Sequence, residues 1–185
     1  MKIKITMLLT ALLITGLTYA QDFKGHASGT FGILNGKVRV QYEMPLKDRA
    51  SFGMNMNYYL LNWTGPVFEP FIRIYGKKDG NAEGFFGQAK LIYGNLSTLD
   101  YELYGGALEN KRWSTYGFGL NCGYKFLLGK HFTIEPLTGF RLLSPPVYRF
   151  KTGVDEDYYT IGEGIGWYLT TGFPLDFQLK FGLQF

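Results

Sequence analysis

The chain has 185 residues, a net charge of +4, 16 Phe, 14 Tyr, 3 Trp, 25 Gly and one cysteine, which suffices for one domain. The small positive charge excludes nucleic-acid binding through bulk basicity, and the lone Cys122 excludes an intramolecular disulfide framework or a cysteine-rich zinc site. Abundant aromatics and glycines without helical periodicity suit a β-barrel with aromatic girdles.

Residues 1–20 read as a secretory signal. Lys2 and Lys4 supply a basic start, Ile5 through Leu17 carries no charge, and Thr18-Tyr19-Ala20 offers small residues at a cleavage site. Cleavage is predicted after Ala20, leaving 21–185 as the barrel domain. The apolar run is too short for an anchor, since a span needs about 20 residues. Without Lys2 and Lys4 the net charge falls from +4 to +2. No cysteine stands at the cleavage site, so no lipid anchor is read there. No later stretch is long and apolar enough for a transmembrane helix.

Downstream, alternation with a period of two organises the chain. A first strand lies within 24–34, with a thin apolar face of Ala27, Gly29, Phe31 and Ile33, and turns at Asn35-Gly36, a favoured hairpin dipeptide. In 37–44, Val38, Val40, Tyr42 and Met44 alternate with Lys37, Arg39, Gln41 and Glu43. In 50–61, Phe52, Met54, Met56, Tyr58 and Leu60 alternate with Ser51, Gly53, Asn55, Asn57 and Tyr59. In 67–76, Phe68, Pro70, Ile72 and Ile74 face away from Glu69 and Arg73. In 84–94, Ala89, Leu91 and Tyr93 face away from Gln88 and Lys90. The clearest case is 113–126, where Tyr116, Phe118, Leu120, Cys122, Tyr124 and Phe126 oppose Thr115, Gly117, Gly119, Asn121, Gly123 and Lys125. In 131–143, Phe132, Ile134, Phe140 and Leu142 face away from Glu135 and Arg141. From Ile161 through Ile165, Trp167, Leu169, Thr171 and Phe173 to Phe185 the larger side chains keep one odd phase. This predicts one continuous strand over 161–185, with a bulge at Gly172–Pro174.

The fold class that follows is all-β: an antiparallel up-and-down transmembrane β-barrel of about eight strands. A soluble barrel points its apolar face inward. Here the polar face is small and glycine-rich, which suits a crowded lumen, and the apolar face is bulky, which suits lipid. Turns at 45–49, 77–84 and 127–131 are assigned to the periplasmic end. Longer segments near 95–112 and 144–157, with 62–66, are assigned to the outer end.

The interior charges are then Arg39, Glu43, Glu69, Arg73, Lys90, Lys125, Glu135, Arg141, Asp176 and Lys180. An eight-stranded interior is just wide enough for side chains, so these residues predict a salt-bridged plug rather than a pore or ligand pocket. Aromatics near the outer strand ends, including Tyr58, Tyr59, Trp63, Trp113, Tyr116, Trp167 and Tyr168, read mostly as a lipid-interface belt. Tyr148, Phe150, Tyr158 and Tyr159, with Asp155 among them, make a candidate contact surface beyond the bilayer. His26 and His131 are too far apart to suggest a metal site. No catalytic, cofactor-binding or metal-binding residue is assigned.

The terminal run LDFQLKFGLQF, 175–185, resembles the C-terminal signature of outer-membrane barrels, an amphipathic strand ending in Phe. That resemblance makes Leu179, Phe181, Leu183 and Phe185 an insertion signal read by the barrel-insertion machinery. The segments KVRVQYEMPLKDRASFG, FEPFIRIYGKK and GFGLNCGYKFLLGKHFTIEPLTGFRL resemble an uncharacterised family of small outer-membrane barrels, a domain of unknown function of the OmpA- and OmpX-like eight-stranded kind. The resemblance implies the outer membrane of a Gram-negative bacterium, contact with lipid and lipopolysaccharide, another outer-membrane protein as partner, and no nucleic acid or cofactor. It assigns no catalytic residue. The expected function is a non-enzymatic structural, anchoring or complex-subunit role through the outer loops. The alternatives are a lipid-modifying enzyme and a small-solute channel. The first rests on His26-Ala27-Ser28, which resembles the His-x-Ser element of lipid A deacylases. It departs from that element in lying near the start of the barrel and in having Gly29 after the serine.

Overall fold

The computed structural model describes residues 25–32, 36–47, 49–61, 63–77, 83–98, 112–147 and 164–185. The secretory signal and the contact surface of Tyr148, Phe150, Asp155, Tyr158 and Tyr159 lie outside the described residues.

Eight strands form: β1 (His26–Gly32), β2 (Lys37–Lys47), β3 (Ala50–Tyr59), β4 (Trp63–Tyr75), β5 (Gly84–Thr98), β6 (Arg112–Leu128), β7 (Phe132–Leu143) and β8 (Gln178–Gln184). Each pairs antiparallel with the next, and β8 returns to β1, so the sheet closes on itself and leaves no free edge. The predicted all-β up-and-down barrel is the observed one. Gly36 turns the first hairpin at φ 50°, a left-handed conformation that glycine adopts without a side-chain clash.

The alternation of polarity is realised in space. Along β4, Trp63, Val67, Phe71 and Tyr75 are buried inward, while Phe68, Ile72 and Ile74 are exposed outward. Side chains alternate across a strand, and closure assigns one set to the lumen and the other to the outside. Among the described residues, two buried apolar clusters occupy the interior. The first joins Tyr59, Trp63, Val67, Ile92, Leu96, Trp113, Leu143 and Trp167 near the end where β3 runs into β4. The second joins Tyr75, Phe86 and Leu137 toward the other end.

Several boundaries differ from expectation. β4 begins at Trp63, so 63–66 is strand rather than loop, and β5 continues to Thr98. The larger correction concerns the C-terminal quarter. The predicted continuous strand over 161–185 does not form. A short helix occupies 164–169, turns follow, Leu175 makes one isolated bridge to Phe140, and β8 begins only at Gln178. The physical reason lies in the ladder. β1 pairs with β8 only from Phe181 to Gln184, and the regular pairing with β7 stops at Gln178. In that register Leu143, the last residue of β7, stands opposite Gly172, so a strand continued before 172 would find no partner. The backbone instead bonds to itself: the Thr170 and Gly172 N–H groups donate to the Trp167 carbonyl at 3.2 and 2.8 Å.

Candidate functional site

All ten side chains assigned to the interior by alternation are buried. Lys37 and His26 join them, at 4% and 3% exposure. Lys37 lies on the same face of β2 as Arg39 and Glu43, so its phase already carried the signal. His26 opens β1, where the apolar face was too thin to fix an orientation.

The charges fall into two linked sets. In the first, Glu43 receives Arg73 Nη1 at 2.7 Å, Lys125 Nζ at 2.9 Å and the Tyr75 hydroxyl at 2.6 Å. Glu135 faces the same two cations, with Arg73 Nη2 at 3.1 Å and Lys125 Nζ at 3.4 Å. The guanidinium of Arg73 also stacks on Phe86, 4.1 Å from the ring centroid. In the second set, Glu69 accepts from Arg39 Nη2 at 3.2 Å and Lys90 Nζ at 3.1 Å, and Lys90 reaches Asp176 at 2.7 Å. Arg39 Nε donates to Asn57 Oδ1, and Lys180 Nζ donates to Gln41 Oε1. The predicted salt-bridged plug is therefore present. A buried carboxylate held by two cations recovers through Coulomb attraction and hydrogen bonding part of what it loses in hydration.

His26, Glu43 and Glu135 bring one potential ligand atom each within 4.8 Å of one another. The donor types suit a metal ion, but the charge does not. Arg73 and Lys125 lie within 3.4 Å of both carboxylates and already neutralise them. A divalent cation there would face two like charges at ion-pair range. The cluster is the lower half of the plug.

The same histidine has a partial hydrolytic geometry. Its Nε2 lies 2.7 Å from Thr133 Oγ1, and its Nδ1 lies 3.5 Å from Glu43 Oε2. Thr133 is 1% exposed, however, so the hydroxyl has no face open to a substrate. Ser28, the serine of the His-x-Ser element, makes no hydrogen bond to His26 and is itself buried.

The belt assignment needs correction. Tyr58, Tyr116 and Tyr168 are exposed as expected, but Tyr59, Trp63, Trp113 and Trp167 are buried together inside the barrel mouth. Trp167, carried by the helix at 164–169, has no exposed surface. Its ring meets Trp63 edge-on at 5.2 Å and Trp113 at 6.2 Å. Gly172 lies so close to the indole that a Cβ there would overlap it. Below this cap, Arg141 donates to the Tyr59 hydroxyl at 2.9 Å and to the carbonyls of Thr171 at 2.8 Å and Phe173 at 3.1 Å. Sequence reasoning missed the cap, because an inward tryptophan and an outward one share the same odd phase.

Leu179, Phe181 and Leu183 point outward from β8 and are exposed, and the exposed Phe185 donates its N–H to the Gly25 carbonyl at 3.0 Å. Among the described residues no helix is long and apolar enough to cross a membrane.

No protein-family model matches the chain, and no curated protein sequence matches it. Among solved structures it is similar to the N-terminal β-barrel domain of Pseudomonas aeruginosa OprF. Identity is 12% and the TM-score 0.50, over 88% of this chain and 96% of that one. At that identity the likeness speaks to the fold, and the chain has the fold of an eight-stranded outer-membrane-type β-barrel.

Proposed function

We propose that this chain resides in the outer membrane of a Gram-negative bacterium as a non-enzymatic β-barrel with a filled interior. Its role is structural or anchoring, or that of a complex subunit acting through the β5–β6 and β7–β8 connections. The observation that carries this reading is the inverted polarity of the barrel. Leu91, Ile74, Leu120 and Val40 are 67%, 63%, 60% and 58% exposed on strands from different sides, while the charges are inside. Contiguous apolar surface above a few hundred Å² is rare on soluble monomers, and each Å² left in water costs about 25 cal/mol. Lipid removes that cost, and a closed sheet leaves no backbone group unpaired in it. The filled interior argues against a resting channel, since ion pairs and two apolar clusters occupy the lumen.

In the same reading, residues 1–20 direct secretion, and Leu179, Phe181, Leu183 and Phe185 form the insertion signal. Lipid, lipopolysaccharide, the insertion machinery and another outer-membrane protein are the partners. Tyr148, Phe150, Asp155, Tyr158 and Tyr159 form the contact surface. Fractionation of cells expressing the full chain tests the reading. The protein should appear in the outer-membrane fraction and migrate faster on gels when unheated. Recovery as a soluble periplasmic protein would overturn it. Unchanged lipid A mass spectra with and without the protein are expected for a non-enzyme.

A further inference from the structure

Among the described residues, seven buried lysines and arginines face four buried carboxylates. Arg39, Arg73, Lys90 and Lys125 account for every Lys and Arg ion pair to those carboxylates. Lys37, Arg141 and Lys180 have no carboxylate in ion-pair range among the described residues. Two of these three meet at one neutral atom. The Tyr59 hydroxyl oxygen lies 2.9 Å from Arg141 Nη1 and 3.5 Å from Lys37 Nζ. Two further N–H groups of Arg141 donate to the Thr171 and Phe173 carbonyls, which belong to the segment that carries Trp167. Nearby on β2, Arg39 Nη1 is buried without an acceptor.

Cations taken out of water without an opposite charge are costly, and a neutral hydroxyl or carbonyl returns only part of that cost. We propose that this end of the lumen is a binding site for one small oxyanion, held by Lys37 and Arg141 and covered by the Trp167 cap. In the closed form, the Tyr59 hydroxyl and the two cap carbonyls stand where the anion's oxygens bind. An oxyanion presents acceptors of the same kind with a full negative charge, which guanidinium and ammonium donors prefer. Because two of the displaced acceptors belong to the cap, an anion that takes Arg141 releases the cap's inner end. Anion binding and cap opening are then coupled, and the coupling is reciprocal. The inference rests on the closed barrel and its interior, not on the cellular location, so either can fail without the other.

All three tryptophans of the chain lie in the cap cluster, so intrinsic fluorescence reports on the cap. The experiment titrates inorganic phosphate into the folded protein in detergent micelles. A bulky organic sulfonate holds the ionic strength constant, and quenching by neutral acrylamide is measured. Phosphate should raise the quenching constant saturably, by about twofold or more. Lys37→Met should keep the low quenching of the closed cap and lose the phosphate response. Arg141→Gln should show high quenching from the start and no response. Lys37→Gln, which retains a hydrogen-bonding group, serves the same purpose if the methionine variant does not migrate as a folded barrel. A wild-type protein without a saturable response overturns the site, as does a Lys37 variant that responds in full.

Discussion

Lys125 Nζ lies 2.9 Å from Glu43 Oε2, although 82 positions separate the two residues in sequence. One stands on β6 and the other on β2, four strands apart around the barrel, so they meet only because the sheet closes. Glu43 holds Arg73 as well, so it is one of two acids, with Glu135, that these two buried cations share.

Glu43→Ala should destabilise the barrel, by less than the about 3–5 kcal/mol of a wholly unpaired buried charge, because Glu135 still faces Arg73 and Lys125. Urea unfolding in micelles measures this. The double variant Glu43→Gln, Lys125→Met should recover part of the loss, since removing both partners is cheaper than removing one. Equal or additive losses would contradict the pairing.

The cap offers a second test. Gly172→Val places a branched side chain against the indole of Trp167. The barrel should still form, because Gly172 lies outside the eight strands. Acrylamide quenching of the tryptophans should rise, since the ring can no longer seat between Trp63 and Trp113. Unchanged quenching would mean that Trp167 sits elsewhere, as it does in the continuous-strand alternative.

Leu120→Arg and Leu91→Arg probe the outer face. Both residues are more than half exposed and lie in central stretches of their strands. If lipid covers them, each substitution should cost about 2–4 kcal/mol in folding into vesicles. A soluble barrel would tolerate either at almost no cost.

Deleting Phe185, or changing it to a charged residue, should lower the amount of folded protein in the membrane of living cells. Refolding into detergent should change much less, because the exposed ring contributes little to the interior. Normal membrane levels of the deletion variant would remove the insertion-signal argument.

Topology is tested by single cysteines at Asp48, Asp100 and Asp155 in a Cys122→Ser background. Asp48 connects β2 to β3, while Asp100 and Asp155 fall in the β5–β6 and β7–β8 connections at the opposite end. An impermeant thiol reagent on intact cells should label positions 100 and 155 and spare 48. The reverse pattern would invert the barrel in the membrane.

The period of two determined much of this protein by itself. Alternation is a local property of extended backbone, so it sorted Arg39, Glu69, Lys125 and Arg141 from Val40, Phe68, Phe126 and Leu142 without any knowledge of neighbours. It also set the strand count and the inverted polarity. Which cation meets which acid was decided only by tertiary structure, because partners are set by register between strands and by closure across the lumen. The same limit explains the C-terminal quarter. An odd phase from Ile161 to Phe185 fits a strand, yet a strand needs ladder partners, and β7 ends at Leu143, opposite Gly172, with none to offer before that point. What remains is a short helix with Trp167 turned inward over Arg141, a placement that depends on the width of the barrel mouth and on the room left at Gly172.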